Sequence, residues 1–254
     1  MTLAREDAVL TWTEPDPVPL RGTLVVLPGR GESARVYERF GRRLAADAYR
    51  VHVIGAAPSD SPAQAYEQLA DLIETADIGT PRIVVGSDAG AAYAAYLAAQ
   101  SRLTGVGALV LAGRPATGAA APARDWDDEL DARTFCTTHR GRISEAGVRP
   151  AALFTDLPPA WFDPSIPAAI DLPVLGLHGR DDPVSPVDDA RAWYAAAPRA
   201  ELVTIAGGRH DALNDATHRT AAATIVLFLE RLRASGSLAP IAVTEPLTAE
   251  RTPA

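Results

Sequence analysis

Lysine is absent from the 254 residues, and all 24 side chains counted as Lys+Arg are arginine. A Schiff-base enzyme needs a lysine amine as nucleophile, and a Walker-type phosphate loop needs a lysine to reach the phosphates. Both chemistries are excluded. Cysteine is nearly absent as well. Cys136 stands alone, so neither an internal disulfide nor a four-cysteine zinc site can form. Positive charge is scarce: 24 Arg face 32 Asp+Glu, for a net charge of -8. Such a chain offers no net positive field to phosphates, which argues against nucleic-acid partners. No apolar run approaches the roughly 20 residues of a membrane-spanning helix. Residues 1–20 also lack the basic start and apolar stretch of a signal peptide. The expectation is a soluble, cytoplasmic protein, a monomer or homodimer, with a small-molecule partner and no membrane or metal.

What is present reads as one globular domain. The chain is 47% apolar and 22% charged, ordinary for a folded protein, and a single α/β domain commonly reaches about 250 residues. Short apolar runs rich in β-branched residues or leucine occupy Ala8–Trp12, Thr23–Leu27, Val51–Ile54, Ile83–Val85, Val106–Leu111, Val174–Leu177 and Leu202–Ile205. Strands buried on both faces of a parallel sheet read this way.

Helical patterns fill the gaps between these runs. Val36, Tyr37, Phe40 and Leu44 share one helical face. Ser61-Pro62-Ala63-Gln64 offers a cap, a first-turn proline and a capping-box glutamine, and Ser185-Pro186-Val187-Asp188 repeats the device. Ala91–Gln100 is alanine-rich, and Ala212–Leu232 is expected to be a long final helix. Strand–helix alternation on this scale implies a mostly parallel sheet with helices on both faces.

Two stretches break the rhythm. Residues 115–171 separate two strands yet contain none. They open on a hinge-like Ala-Thr-Gly-Ala-Ala-Ala-Pro-Ala, pass an acidic turn (Asp125, Asp127, Asp128, Glu129, Asp131) and Phe135–Arg142, and leave through prolines. A connection this long is usually a functional lid when it is ordered. The resulting division is a core at 1–114 and 172–234, a lid at 115–171 and a Pro/Ala/Thr-rich tail at 235–254.

The centre of the sequence is Ile83-Val84-Val85-Gly86-Ser87-Asp88-Ala89-Gly90, a strand, a sharp turn and a helix start. It matches the nucleophile elbow, Gly-x-nucleophile-x-Gly, with Asp88 at the nucleophile position. Taking Ser87 instead would put Val85 and Ala89 where glycines belong. An aspartate at a helix N-terminus is favoured as an anion and needs no base to activate it, as a serine would. The plainer alternative is that Asp88 is an ordinary helix N-cap. Downstream lie His178-Gly179-Arg180-Asp181-Asp182 and Gly207-Gly208-Arg209-His210, each just after an expected strand. Nucleophile, acid and histidine then follow in the order that accompanies such an elbow.

With these motifs in order, the chain resembles the α/β-hydrolase family over roughly residues 7 to 234. Leu27-Pro28-Gly29-Arg30-Gly31 is similar to the family's oxyanion loop, Gly86–Gly90 to its elbow, Gly179–Asp182 to its acid loop and Gly207–His210 to its histidine loop. The insertion sits before the penultimate strand, where the family places its lid. The resemblance implies an α/β-hydrolase fold and a cofactor-free hydrolase, with Asp88 as nucleophile, His210 as base and Asp182 orienting His210. Gly29, Arg30 and Ala89 would serve the oxyanion or substrate.

Most members carry serine at the elbow. Those with aspartate resemble haloalkane dehalogenases, fluoroacetate dehalogenases and epoxide hydrolases, which pass through a covalent ester. Features of those branches are missing. Ala89 stands where haloalkane dehalogenases usually have a halide-holding tryptophan, and residues 115–171 contain no tyrosine to protonate an epoxide. The Pro-Gly-Arg-Gly loop is closer to esterase and lysophospholipase-like members. An esterase or lactonase with an atypical aspartate is therefore one alternative, and a non-catalytic small-molecule binder is another.

The remaining residues carry weaker expectations. Trp126 and Trp161 are hydrophobic anchors or pocket walls. Arg30, with Arg114 behind it, is the best placed charge to grip a substrate carboxylate, so an anionic substrate is favoured. His178 reads as structural, His52 as a packing or surface residue, His139 and His218 lack metal-ligand spacing, and Asp211 is expected to cap the last helix. Fifty alanines beside arginine-only basicity fit the coding bias of a GC-rich bacterial genome.

Overall fold

The computed structural model describes residues 9–75, 79–116 and 125–245. Seven strands form one sheet: β1 (Leu10–Trp12), β2 (Gly22–Leu27), β3 (Tyr49–Val53), β4 (Arg82–Ser87), β5 (Ala108–Ala112), β6 (Val174–Gly179) and β7 (Ala200–Ile205). Their order is β1-β3-β2-β4-β5-β6-β7. Only β1 is antiparallel, to β3. All seven expected strands are present, though Ala8 lies outside the described residues. So do most of the hinge-like run, from Thr117 onward, and the end of the tail from residue 246.

Alternation along the strands builds two cores. On one face Leu24 and Val26, Val51 and Val53, Ile83 and Val85, and Leu175 and Leu177 pack under helices α1 (Glu38–Ala46) and α7 (His218–Ala234). On the other, Val25, Leu27, Val84, Leu109 and Leu111 pack under α2 (Pro62–Glu74), α3 (Ala89–Ala99) and α6 (Val187–Ala195). Both faces are covered, which is why the strands are apolar at nearly every position rather than at every second one. Alanine suits α3 twice over, since it forms helix readily and is small enough for the helix to lie close on the sheet.

The sheet order also sets where a ligand would go. The chain runs from β2 to β3 on one side and then crosses back to β4 on the other. Beyond the carboxyl ends of β2 and β4 there is therefore a topological switch point, the usual crevice for ligands in open α/β sheets. The loop after β2 carries Gly29–Glu32, and the turn after β4 carries Asp88.

Several local expectations are corrected. The last helix begins at His218, not Ala212. The preceding residues are held in turns because the Asp211 and Asp215 carbonyl and carboxylate oxygens take the N–H groups of Asn214, Ala216 and Arg209. Asp211 does not cap α7, since its carboxylate meets His139 Nε2 at 2.6 Å. Ser61 precedes α2 without a side-chain capping bond, and α6 has no side-chain cap either, the Ser185 hydroxyl donating to the Arg114 carbonyl at 2.9 Å.

Between β5 and β6 the described residues contain no strand. They hold α4 (Trp126–Arg133), α5 (Thr137–Glu145) and three 3-10 turns at Ala152–Phe154, Pro159–Phe162 and Pro167–Ala169. The acidic run is the start of α4 rather than a turn. Asp125 caps it by accepting the Asp128 N–H at 3.0 Å, and Asp127, Asp128 and Glu129 occupy the first turn, where the helix dipole favours negative charge. No helix among the described residues is long and apolar enough to cross a membrane.

Candidate active site

Asp88 occupies a strained elbow, with φ 48° and ψ -115°. Such a conformation in a non-glycine residue costs on the order of 1–3 kcal/mol and persists only where the surroundings impose it. They do so here through two glycines. A Cβ on Gly86 would lie 2.4 Å from the Gly90 carbonyl oxygen, and one on Gly90 would lie 2.0 Å from that of Leu27. The Asp88 N–H is tied to the Ala112 carbonyl at 3.0 Å, and its carbonyl receives Ala91 and Ala92 at 2.9 and 3.2 Å. The side chain makes no capping bond to α3. Its carboxylate turns away from the helix, so the N-cap role falls to the backbone alone.

That carboxylate is surrounded by donors. The Arg30 main-chain N–H donates to Oδ2 at 2.8 Å. The Arg30 side chain grips it in two-point fashion, Nε to Oδ2 at 2.9 Å and Nη2 to Oδ1 at 2.7 Å. His210 Nε2 meets Oδ1 at 3.1 Å. On the other side of the ring, His210 Nδ1 meets Asp182 Oδ2 at 2.8 Å. Asp182 is held in turn by the N–H groups of Val184 and Ser185, at 2.8 and 3.0 Å to Oδ1. Asp88, Asp182 and His210 are buried, at 1%, 6% and 1% exposure.

Burial and pairing oppose one another in setting the charges. Burial alone would raise the Asp88 carboxyl, but the Arg30 charge and the His210 hydrogen bond hold it far below the usual carboxylate range. Burial likewise would lower His210, yet the charge and hydrogen bond of Asp182, joined by Asp88, push it up to about 10. At rest the cluster is two carboxylates matched by one imidazolium and one guanidinium. His178 lies 3.3 Å from Asp182 Oδ2 and bonds the Ser185 carbonyl at 2.7 Å. It braces the acid loop from below.

A second buried network supports the loop after β2. Arg133 of α4 is fully buried. It donates to Glu32 Oε1 at 2.9 Å, to Glu129 Oε1 at 3.0 Å and to the Arg30 carbonyl at 3.0 Å. Glu32 also accepts from Gly29 N–H at 3.1 Å and from the Tyr37 hydroxyl. Burial, with Asp211 nearby, raises Glu32 to about 8 despite Arg133.

The expected site residues thus fall into two groups. Asp88, His210, Asp182 and Arg30 converge. Gly29 does not aim its N–H at Asp88; that N–H is taken by Glu32 and Tyr37, and the neighbouring Arg30 N–H faces the carboxylate instead. Ala89 opens α3 and its N–H forms no bond to Asp88.

The proposed pocket set is dispersed. Trp126 packs on the core under α1 and α7. Trp161 packs on the opposite core, its ring 4.8 Å from that of Tyr93. The Arg114 guanidinium lies over Trp193 at 4.4 Å and Phe162 at 5.6 Å. Burial lowers Arg114 to about 10. Sequence reasoning did not single out Arg133 or Glu32, and placed Tyr37 only on an apolar helical face. The i,i+4 spacing of Glu129 and Arg133 was the available signal, hidden within an acidic run that read as a turn.

Comparison with known proteins identifies the family and the fold. A family profile described as the alpha/beta hydrolase family matches residues 24–223. No curated protein sequence matches the chain. Among solved structures, a soluble variant of monoglyceride lipase from Saccharomyces cerevisiae superposes with TM-score 0.72 at 14% identity, covering 88% of this chain and 91% of that one. An esterase from a Rhodococcus species gives 0.66 at 20% identity, over 87% and 94%. A putative non-heme bromoperoxidase from Mycobacterium tuberculosis gives 0.61 at 19% identity, over 90% and 96%.

Proposed function

This chain belongs to the alpha/beta hydrolase family, and from that premise we propose that it hydrolyses a small organic substrate through a covalent ester on Asp88. The observation that carries this reading is the contact between the Arg30 main-chain N–H and Oδ2 of Asp88, at 2.8 Å. In an acyl hydrolase that loop donor serves the substrate's carbonyl oxygen. Here it serves an oxygen of the nucleophile itself. That is where an oxyanion forms if water attacks Cγ of an Asp88 ester.

An Asp88 oxygen attacks carbon, the carbon–leaving-group bond breaks, and the group departs with its electron pair. Esterification removes one of the two negative charges that hold His210 protonated, so the imidazolium releases its proton to solvent. Neutral His210, oriented by Asp182, then takes a proton from water as the water oxygen attacks Cγ of Asp88. Collapse of the tetrahedral adduct regenerates the carboxylate and the imidazolium and releases an alcohol. In that collapse the bond from Cγ to the alkoxide oxygen breaks, and the departing alkoxide takes the proton of the adduct's new hydroxyl.

The oxygen atoms distinguish this route from direct attack of water on substrate. Single turnover in heavy-oxygen water should place label in the Asp88 peptide, read by mass spectrometry. Active enzyme with an unlabelled peptide would exclude the covalent ester.

Acyl hydrolysis is the second reading, since two of the similar folds belong to a lipase and an esterase. It requires the same weakly basic carboxylate to displace an alkoxide and form an anhydride, which is strongly uphill. Turnover of simple esters or lactones, abolished by Asp88→Ala, would favour it.

A further inference from the structure

Asp88 has no lone pair to spare. A carboxylate offers about four acceptor positions, and the Arg30 main-chain N–H, Arg30 Nε, Arg30 Nη2 and His210 Nε2 fill them. A nucleophile in this state cannot attack until one donor leaves. Two of the four are fixed. The Arg30 main chain lies in a loop pinned through Gly29, Glu32 and the Arg133 bond to the Arg30 carbonyl, and His210 is held by Asp182. The Arg30 side chain alone can swing about rotatable bonds. Its remaining contact is Nη1 to the Thr155 carbonyl at 2.9 Å, a neutral acceptor.

Moving this guanidinium off Asp88 leaves a positive charge unpaired inside the protein, since Arg30 is 7% exposed. Such a state is strongly unfavourable unless another anion takes the place of Asp88. No other carboxylate bonds the Arg30 side chain among the described residues. The anion must then arrive with the substrate.

We propose that the substrate carries a carboxylate and that Arg30 recognises it, transferring its two-point grip from Asp88 to that group and so releasing Asp88 to attack. This rests on the reading of Asp88 as nucleophile and narrows its substrate class. Arg30 and Asp88 touch at rest, so the attacked carbon and the substrate carboxylate are separated by only a few bonds. A short acid substituted close to its carboxyl group fits. Planar two-point pairing is a property of arginine and carboxylate. Arg114 does not fill this role: its guanidinium bonds the Pro115 carbonyl and touches none of Asp88, Asp182 or His210.

The test is binding, which needs no turnover. Asp88→Asn in the full chain removes the resting counter-charge of Arg30 without changing its shape. By calorimetry, chloroacetate should bind this variant at least tenfold more tightly than it binds the wild type, and acetamide should show no such gain. Adding Arg30→Met should abolish the gain. Asp88→Ala serves as the second variant if Asp88→Asn does not fold.

Equal gains for chloroacetate and acetamide would overturn the proposal. So would binding that survives Arg30→Met, or binding that is lost only on Arg114→Met. The underlying reading fails separately. Arg30-dependent carboxylate binding with no label on Asp88 removes the covalent ester alone. Label on Asp88 with carboxylate-blind binding removes this proposal alone.

Discussion

His210 carries opposite demands in the two halves of the proposed reaction. Between two carboxylates it is an imidazolium, and only loss of one negative charge frees it to act as a base. His210→Gln keeps the size and the hydrogen-bonding character of the side chain but cannot accept the proton. Ester formation should survive, and hydrolysis should slow by roughly 10²–10⁴, the usual contribution of a positioned base. Mass spectrometry of the intact variant after substrate addition should show a stable adduct on Asp88; a variant that turns over without an adduct contradicts the assignment. In the sequence, Asp88, Asp182 and His210 were legible because each sits just past a strand in a fixed order. The grip of Arg30 on Asp88 was not. The sequence placed Arg30 beside the site as a grip for substrate, but its pairing with Asp88 depends on the neighbouring strand bringing a carboxylate to it across 58 positions of chain.

At the scale of elements, α4 is bolted to the loop after β2 rather than resting on it. Arg133 joins Glu129 of its own helix to Glu32 and to the Arg30 carbonyl, with all three side chains buried. Removing one member of a buried ionic group leaves the others uncompensated and costs about 3–5 kcal/mol. Arg133→Met should therefore lower stability by that order in denaturant unfolding. It should also impair any activity more than the distance from Asp88 would suggest, since the Arg30 loop loses its brace. A loss below about 1 kcal/mol would show that the network is dispensable. The strands and most helices were legible from periodicity and composition. The start of α7 and the fate of the acidic run were not, because side chains distant in sequence decide them: Asp215 bonds the Thr134 hydroxyl and the Phe135 N–H.

For the molecule as a whole, buried titratable groups set how stability varies with pH. His210 rises from its usual 6.5 to about 10, so its contribution is complete below pH 6.5 and is lost as pH climbs through 10. Glu32 rises from 4.5 to about 8, and its contribution is lost as pH climbs through that window. Asp88 and Asp182 are lowered from 3.8, so theirs vanishes only as pH falls well below that value. Thermal unfolding should show the highest Tm near about pH 4–4.5, with a decline from there toward pH 10 that steepens above about pH 6.5. Glu32→Gln should flatten the early part of that decline, whereas a Tm that rises from pH 6.5 to 10 would reverse the sign of both assignments. By itself, the sequence determined the parallel sheet with helices on both faces, the elbow and the order of the three polar residues, because strand burial, turn sterics and chain order are written locally. Only the tertiary structure decided which charges meet. Ion pairing in a buried site depends on distances of a few ångströms between segments far apart in the chain, and no local pattern encodes those distances.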